Sequence, residues 1–94
     1  MTTMLTARCD RRGHLMFQVD LDDGQYFISA PRYALGRSQK TWTPMRRPLV
    51  VTGIRMTRYG CACGLTVLTH DKMIRDDLRR GETQWVIRAA NLPT

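Results

Sequence analysis

The stretch from His14 to Ala30, HLMFQVDLDDGQYFISA, decides the fold expected of this chain. Hydrophobic and polar residues alternate on both sides of Asp23-Gly24, a dipeptide typical of the two-residue turns that join antiparallel strands. A slip of one residue would set the hydrophobic side chains against polar ones, so turn and pattern fix one register. The sequence predicts a β-hairpin over residues 14–30, with these pairs on one face: Leu21 with Tyr26, Val19 with Ile28 and Phe17 with Ala30.

Four further segments carry the alternation typical of strands. They span residues 3–9, 49–59, 65–69 and 83–90, and the hydrophobic phase changes at Gly53, which indicates a β-bulge. The pattern predicts an α+β fold: a twisted, mostly antiparallel sheet of about six strands, or a partly open barrel, with one helix on a face or end.

The helix is predicted over roughly residues 72–80. Asp71 precedes it as an N-cap and Gly81 follows as a C-terminal stop. Ile74 and Leu78 lie four residues apart on its apolar side. We expect the shared face of Trp85 and Ile87, in the last strand, to pack beneath this apolar side.

Length and composition bound the class of protein. With 94 residues, 43% of them hydrophobic and 24% charged, the chain is expected to form a single small domain, 1–94, rather than a disordered segment. No apolar run reaches the roughly 20 residues of a membrane span, and the first residues lack a signal-peptide pattern. Three cysteines, an odd number, argue against a secreted disulfide scaffold. A cytoplasmic protein with reduced cysteines and no cofactor is predicted.

The positive charge is concentrated in the middle of the chain. The formal net charge is +7, and residues 24–70 contain seven basic residues and no acidic one. Prolines and a glycine mark residues 31–48 as a long, irregular, basic loop, and loops of this length are usually functional or mobile. Charge gathered in this way favours an acidic partner.

The leading hypothesis is a non-enzymatic module that binds nucleic acid, or a nucleic-acid–protein complex, because cations neutralise phosphates and aromatic rings stack on bases. We expect reversal of Arg46 and Arg47 to glutamate to abolish binding and leave the fold intact. The predicted contact residues lie in the loop and in the following strand: Arg32, Tyr33, Arg37, Lys40, Trp42, Arg46, Arg47, Arg55, Arg58 and Tyr59.

The alternative is a small protein–protein inhibitor or adaptor. Compact domains without catalytic motifs are common among inhibitors made by phages and mobile elements, such as anti-CRISPR proteins. A basic chain cannot mimic DNA, so it would act on the acidic surface of a nucleic-acid enzyme. Salt separates the two hypotheses, since phosphate binding weakens steeply with added salt.

Metal binding and catalysis are the less favoured interpretations. Four residues could in principle meet around zinc, namely Cys9, His14, Cys61 and Cys63. The usual zinc knuckle is Cys-x-x-Cys, however, and Cys-x-Cys directs its sulfurs less readily at one ion, so free thiols and no metal are predicted. No Ser or Cys has a base and an orienting group at a suggestive spacing, which favours a non-enzymatic protein.

Overall fold

The computed structural model describes residues 2–31, 34–35, 38–42, 44–52, 56–61 and 63–88. Within these residues the chain forms nine strands and one helix. In chain order they are β1 Thr2–Cys9, β2 Leu15–Asp22, β3 Gln25–Ala30, β4 Ala34–Leu35, β5 Ser38–Trp42, β6 Met45–Pro48, β7 Thr57–Gly60, β8 Thr66–Thr69, α1 Asp71–Arg79 and β9 Gln84–Ile87.

The strands form one five-stranded sheet and two strand pairs. The order in the large sheet is β6-β3-β2-β1-β9, and β4–β5 and β7–β8 form the pairs. Only β1 and β9 run parallel among the described pairings, and the others are antiparallel. The predicted α+β class with one helix is confirmed. The described strands outnumber the six expected and do not close into a barrel.

The central hairpin follows the predicted register. Val19 lies opposite Ile28 and Leu21 lies opposite Tyr26. The turn has Asp23 at φ 52° and Gly24 at φ 77°, the positive angles that a two-residue hairpin turn of this kind requires. The turn residues and the alternating side chains lie within the same short segment, so a local sequence signal was sufficient to predict the register.

Replacing Gly24 with alanine is expected to lower the free energy of unfolding by about 1–2 kcal/mol, the cost of a left-handed conformation for a residue with a Cβ. An added Cβ would meet no atom within 4 Å, so backbone strain alone accounts for the loss. Urea unfolding measures it, with the exposed neighbour Gln25→Ala as the control, expected to change stability by less than about 0.5 kcal/mol. Equal midpoints for the two variants would contradict the strained-turn explanation.

The core lies between the large sheet, the β7–β8 pair and α1. Phe17 and Tyr59 are fully buried, with their ring centroids 4.8 Å apart, and Trp85 meets the Phe17 ring edge-on at 5.4 Å. Ile74 is the buried residue of the helix that joins this cluster. Trp85 and Ile87 pack against the core only at its margin, since both are half-buried. Their packing beneath the apolar side of the helix stays a prediction.

The segment predicted as an irregular loop contains strand structure. β4, β5 and β6 all lie within residues 31–48, and β6 pairs with β3 at the end of the large sheet. Pro48 is the last residue of β6, and proline is tolerated where a strand edge needs no further donor. The prolines therefore delimit an edge strand here.

The strand predicted over residues 49–59 is shorter than expected. Residues 49–52 have no strand assignment and β7 begins only at Thr57. The predicted bulge at Gly53 lies outside the described residues.

Helix α1 begins one residue earlier than predicted, and its cap differs. The prediction of Asp71 as N-cap is wrong: His70 is the N-cap, and its Nδ1 accepts a hydrogen bond from the Met73 N–H at 3.1 Å. Asp71 is the first helical residue, and its carboxylate is turned to other partners, described below. In the part of the chain that the structure describes, no helix is long and apolar enough to span a membrane.

Candidate functional site

Arg46, a predicted phosphate contact, lies on β6 in an ion pair with a buried carboxylate. Its Nη1 and Nη2 donate to the two oxygens of Asp20 at 2.8 and 3.0 Å, and Asp20 is 1% exposed. The guanidinium also donates to Ser29 Oγ at 3.0 Å and lies 4.5 Å from the Phe27 ring centroid. The hydrogen bond to Asp20 raises the pKa of Arg46 above its usual value. Arg46 thus satisfies a buried acid of the sheet.

Arg47 has the same role on the other face of β6. It donates to both oxygens of Asp71, at 2.5 and 3.0 Å, and to the hydroxyl of Tyr59 at 3.2 Å. Asp71 is 6% exposed and also accepts the Val50 N–H at 2.8 Å. Burial raises the pKa of Tyr59 to about 12, against the lowering effect of Arg47. The arrangement ties β6, β7 and the start of α1 together.

The other predicted contact residues are placed as follows. Tyr59 is fully buried, so its ring is not available to stack on a base. Arg58, its neighbour on β7, is exposed. Lys40 and Trp42 lie on β5, with side chains outside the described set. Four predicted contacts lie outside the described residues altogether: Arg32, Tyr33, Arg37 and Arg55.

Ion pairs consume most of the acidic residues of the chain. Five of the eight carboxylates are paired, including Asp76 with Arg75 at 3.4 Å and Asp77 with Arg80. Three exposed carboxylates, Asp10, Asp23 and Glu82, have no ion pair. Among the described side chains, seven exposed cations also have no ion pair: Arg8, Arg11, Arg12, Arg58, Lys72, Arg79 and Arg88. Of these, only Arg58 was a predicted contact residue.

A cysteine–histidine cluster lies at one end of the core. It consists of Cys9 at the end of β1, His14 just before β2, and Cys61 and Cys63 in the turn between β7 and β8. One ligand atom from each residue lies within 4.8 Å of those of the other three. The Sγ atoms of Cys61 and Cys63 are 2.8 Å apart, and those of Cys63 and Cys9 are 3.6 Å apart. These are the four residues that sequence analysis named as a less favoured zinc set.

Two tight turns bring these side chains together. The Cys9 N–H donates to the His14 carbonyl at 3.0 Å, which closes the first turn. In the second turn, the Cys61 N–H donates to the Leu65 carbonyl at 3.0 Å, and Gly64 reverses the chain at φ 90°. The closed second turn places both sulfurs of the Cys-x-Cys segment on the same side. The objection raised to that spacing from the sequence does not hold in this turn.

Burial and hydrogen bonding shift the pKa of two thiols of the cluster in opposite directions. Burial would raise the pKa of the Cys9 thiol, but hydrogen bonds from the backbone of Arg12 and His14 and from the two other thiols outweigh it and lower the pKa to about 6. Burial and the bond with Cys63 raise the pKa of Cys61 to about 11, although the backbone of Cys63 and Leu65 also donates to its sulfur.

The two histidines of the chain differ in their partners. Nδ1 of His70 caps the helix. Nδ1 of His14 is buried and has no hydrogen-bond partner among the described residues. An unpaired buried nitrogen is uncommon in folded proteins and calls for an explanation.

An apolar groove of about 420 Å³ separates β8 from β9, with α1 at one side. Consecutive residues of both strands line it, so the groove runs along their edges rather than over one face. Leu68, Met73 and Val86, each 44–50% exposed, lie along it. No other element of the described chain covers these side chains.

Comparisons with protein-family models, with curated proteins and with solved structures found no match for this chain.

Proposed function

We propose that this chain is a non-enzymatic, basic module that binds nucleic acid through its phosphates. The observation that carries the proposal is the imbalance on the surface of the described part of the chain. Seven exposed cations there have no ion pair, against three exposed carboxylates without one. The acids that could have neutralised this surface are held by four other arginines. The surplus of positive charge is thus free to meet phosphate.

The proposed contact surface differs from the one drawn from the sequence. Arg46 and Arg47 are assigned to the fold, because each is held by a buried carboxylate. Arg11 and Arg12 join Arg58, because they belong to the two segments that meet at the cysteine–histidine cluster. The remaining members of the surface are unchanged from the sequence hypothesis: Arg32, Tyr33, Arg37, Lys40, Trp42 and Arg55.

A salt titration tests the proposal. We expect binding of a fluorescein-labelled oligonucleotide, followed by anisotropy, to weaken linearly on a log–log plot. Each neutralised phosphate contributes a slope of about −0.9 on duplex DNA and about −0.7 on a single strand. Glutamine at Arg11, Arg12 and Arg58 should weaken binding and reduce the magnitude of the slope by up to three phosphate contributions.

The control matches the charge that is lost. Glutamine at Lys72, Arg79 and Arg88 removes three exposed cations from outside the proposed surface, so the slope should stay close to that of the wild type. A wild-type protein without affinity for either oligonucleotide at low salt would remove the proposal. Equal losses in the two triple variants would remove the assigned surface.

A protein partner is the second candidate, as a small inhibitor or adaptor of the phage type. The apolar groove favours it, because exposed leucine, methionine and valine side chains contribute nothing to phosphate binding and are typical of protein contacts. Affinity capture from a lysate, with and without nuclease, discriminates between the two. Recovery lost on nuclease treatment supports nucleic acid, and a stoichiometric acidic protein retained after nuclease supports the partner.

The proposal includes a reducing, cytoplasmic location and no catalysis. The three cysteines form no disulfide with one another, as is usual in a reducing compartment. Cys9 has the lowered pKa of a nucleophile, but it is 2% exposed, and a reactive cysteine must be reachable by its substrate.

A further inference from the structure

We propose that Cys9, His14, Cys61 and Cys63 form a structural zinc site with three sulfur ligands and one nitrogen ligand. Two turns of the chain, about 50 residues apart in sequence, bring these ligand atoms within 4.8 Å of one another. Cys₃His is one of the ligand sets that structural zinc adopts. The interpretation set aside in the sequence analysis thereby becomes the favoured one.

The ligand-atom separations lie within about 1 Å of those around a tetrahedral ion. Zinc lies about 2.3 Å from sulfur and about 2.0–2.1 Å from nitrogen, so its ligand atoms lie roughly 3.5–3.8 Å from one another. The Cys63–Cys9 sulfur separation of 3.6 Å meets this spacing. The Cys61–Cys63 pair, at 2.8 Å, must open by about 1 Å. Since both residues lie in one short turn, rotation of their side chains suffices for that change.

The unpaired nitrogen of His14 is the second, independent observation. Its Nδ1 is buried and has no hydrogen-bond partner among the described residues, and a ring nitrogen of the same imidazole lies within 4.8 Å of the three sulfurs. A buried polar atom without a partner costs free energy, and a metal bond to that nitrogen removes the cost. His70, by contrast, uses its Nδ1 to cap α1. The two histidines therefore have separate roles, one in the cluster and one in the helix.

The backbone around the cluster holds the ligand residues in place. The Cys9 N–H donates to the His14 carbonyl, and the Cys61 N–H donates to the Leu65 carbonyl, each at 3.0 Å. Hydrogen bonds around a metal site orient its ligands. The two closed turns therefore keep the four residues close together before any ion arrives.

The position of the cluster gives zinc a structural role. Cys9 ends β1 and His14 directly precedes β2, two strands of the large sheet. Cys61 and Cys63 lie between β7 and β8, a pair without strand hydrogen bonds to that sheet in the described chain. A metal bond from each side links the two. Four protein ligands leave no open position for a substrate, as in structural rather than catalytic sites. A small chain with a limited core gains most from such a link.

Metal content is the first measurement. Protein purified without chelator should contain about one equivalent of zinc per chain by inductively coupled plasma mass spectrometry. Cobalt added in place of zinc should give the intense ligand-field bands of a tetrahedral site and a sulfur-to-cobalt charge-transfer band. Folded protein that binds neither metal, or that carries a disulfide within the cluster, would overturn the proposal.

Variants identify the ligands. Cys9→Ser and Cys61→Ser should lose the zinc, whereas His70→Asn should retain it, because asparagine is also a good N-cap. Since a serine variant that fails to fold would lose metal for that reason alone, His14→Cys provides the second test. It should keep the metal and strengthen the charge-transfer band of cobalt through a fourth thiolate. An unchanged cobalt spectrum in His14→Cys, or loss of zinc in a folded His70→Asn, would refute this ligand set.

Discussion

Replacing Arg47 with alanine is expected to lower the free energy of unfolding by about 3–5 kcal/mol, the usual cost of leaving one member of a buried ion pair alone. Asp71 is 6% exposed, and Arg47 donates to both of its oxygens. Without the guanidinium, the carboxylate keeps only the Val50 N–H and the positive end of the helix dipole. Urea unfolding measures the loss.

A double variant isolates the ion pair from the loss of packing. Arg47→Met with Asp71→Asn removes both charges and keeps most of the side-chain volume, so it should recover much of the stability lost in Arg47→Ala. Arg58 is an exposed arginine on β7, the next strand along the chain. Arg58→Ala should lower the free energy of unfolding by less than about 0.5 kcal/mol. Similar losses of unfolding free energy in Arg47→Ala and Arg58→Ala would show that the Arg47–Asp71 ion pair does not stabilise the fold.

This expectation changes the experiment suggested by the sequence. Reversal of Arg46 and Arg47 to glutamate would set two acids against the buried carboxylates of Asp20 and Asp71. The fold would not stay intact, and lost binding could not be assigned to lost phosphate contacts. Glutamine at Arg11, Arg12 and Arg58 avoids the difficulty because those side chains have no ion pair.

The sequence predicted best where the determinants are local. The hairpin register depends on Asp23-Gly24 and on the residues on either side of it, all within 17 positions of the chain. The ion pairs depend on residues 26 and 24 positions apart. An acid-free segment looked unneutralised because its counter-charges arrive from β2 and α1 only after folding. The parallel pairing of β1 with β9 is likewise a long-range contact that alternation does not reveal.

The cysteine–histidine cluster falls between these cases. Sequence composition identified all four residues, but spacing alone argued against them. The decisive facts were the tertiary packing that brings the β1–β2 turn near the β7–β8 turn and the closed turn that aligns Cys61 with Cys63. A Cys-x-Cys segment followed directly by glycine is a signal that could have been given more weight, since Gly64 provides the φ of 90° at which the chain reverses.

Replacing Phe17 with alanine is expected to lower the free energy of unfolding by about 3–5 kcal/mol, through lost burial and an unfilled cavity. Phe17 is fully buried, and its ring contacts Tyr59 at 4.8 Å and Trp85 at 5.4 Å. It thus joins β2 and β9 of the large sheet to β7 of the second strand pair within one core.

Urea unfolding of Phe17→Ala and of a matched variant separates the loss of this core contact from the loss of a hydrophobic side chain in general. Phe27→Ala removes an identical side chain from the opposite face, where the ring is half-buried beneath Arg46, and should cost only about 1 kcal/mol. Small domains are stable by roughly 5–15 kcal/mol, so the loss in Phe17→Ala is a large part of the total. Because the Phe17 ring packs on Tyr59 and Trp85, its removal should also weaken the near-ultraviolet circular dichroism of these rings. Equal unfolding midpoints for the two alanine variants would mean that Phe17 does not join the sheets, and that the core is organised around other side chains.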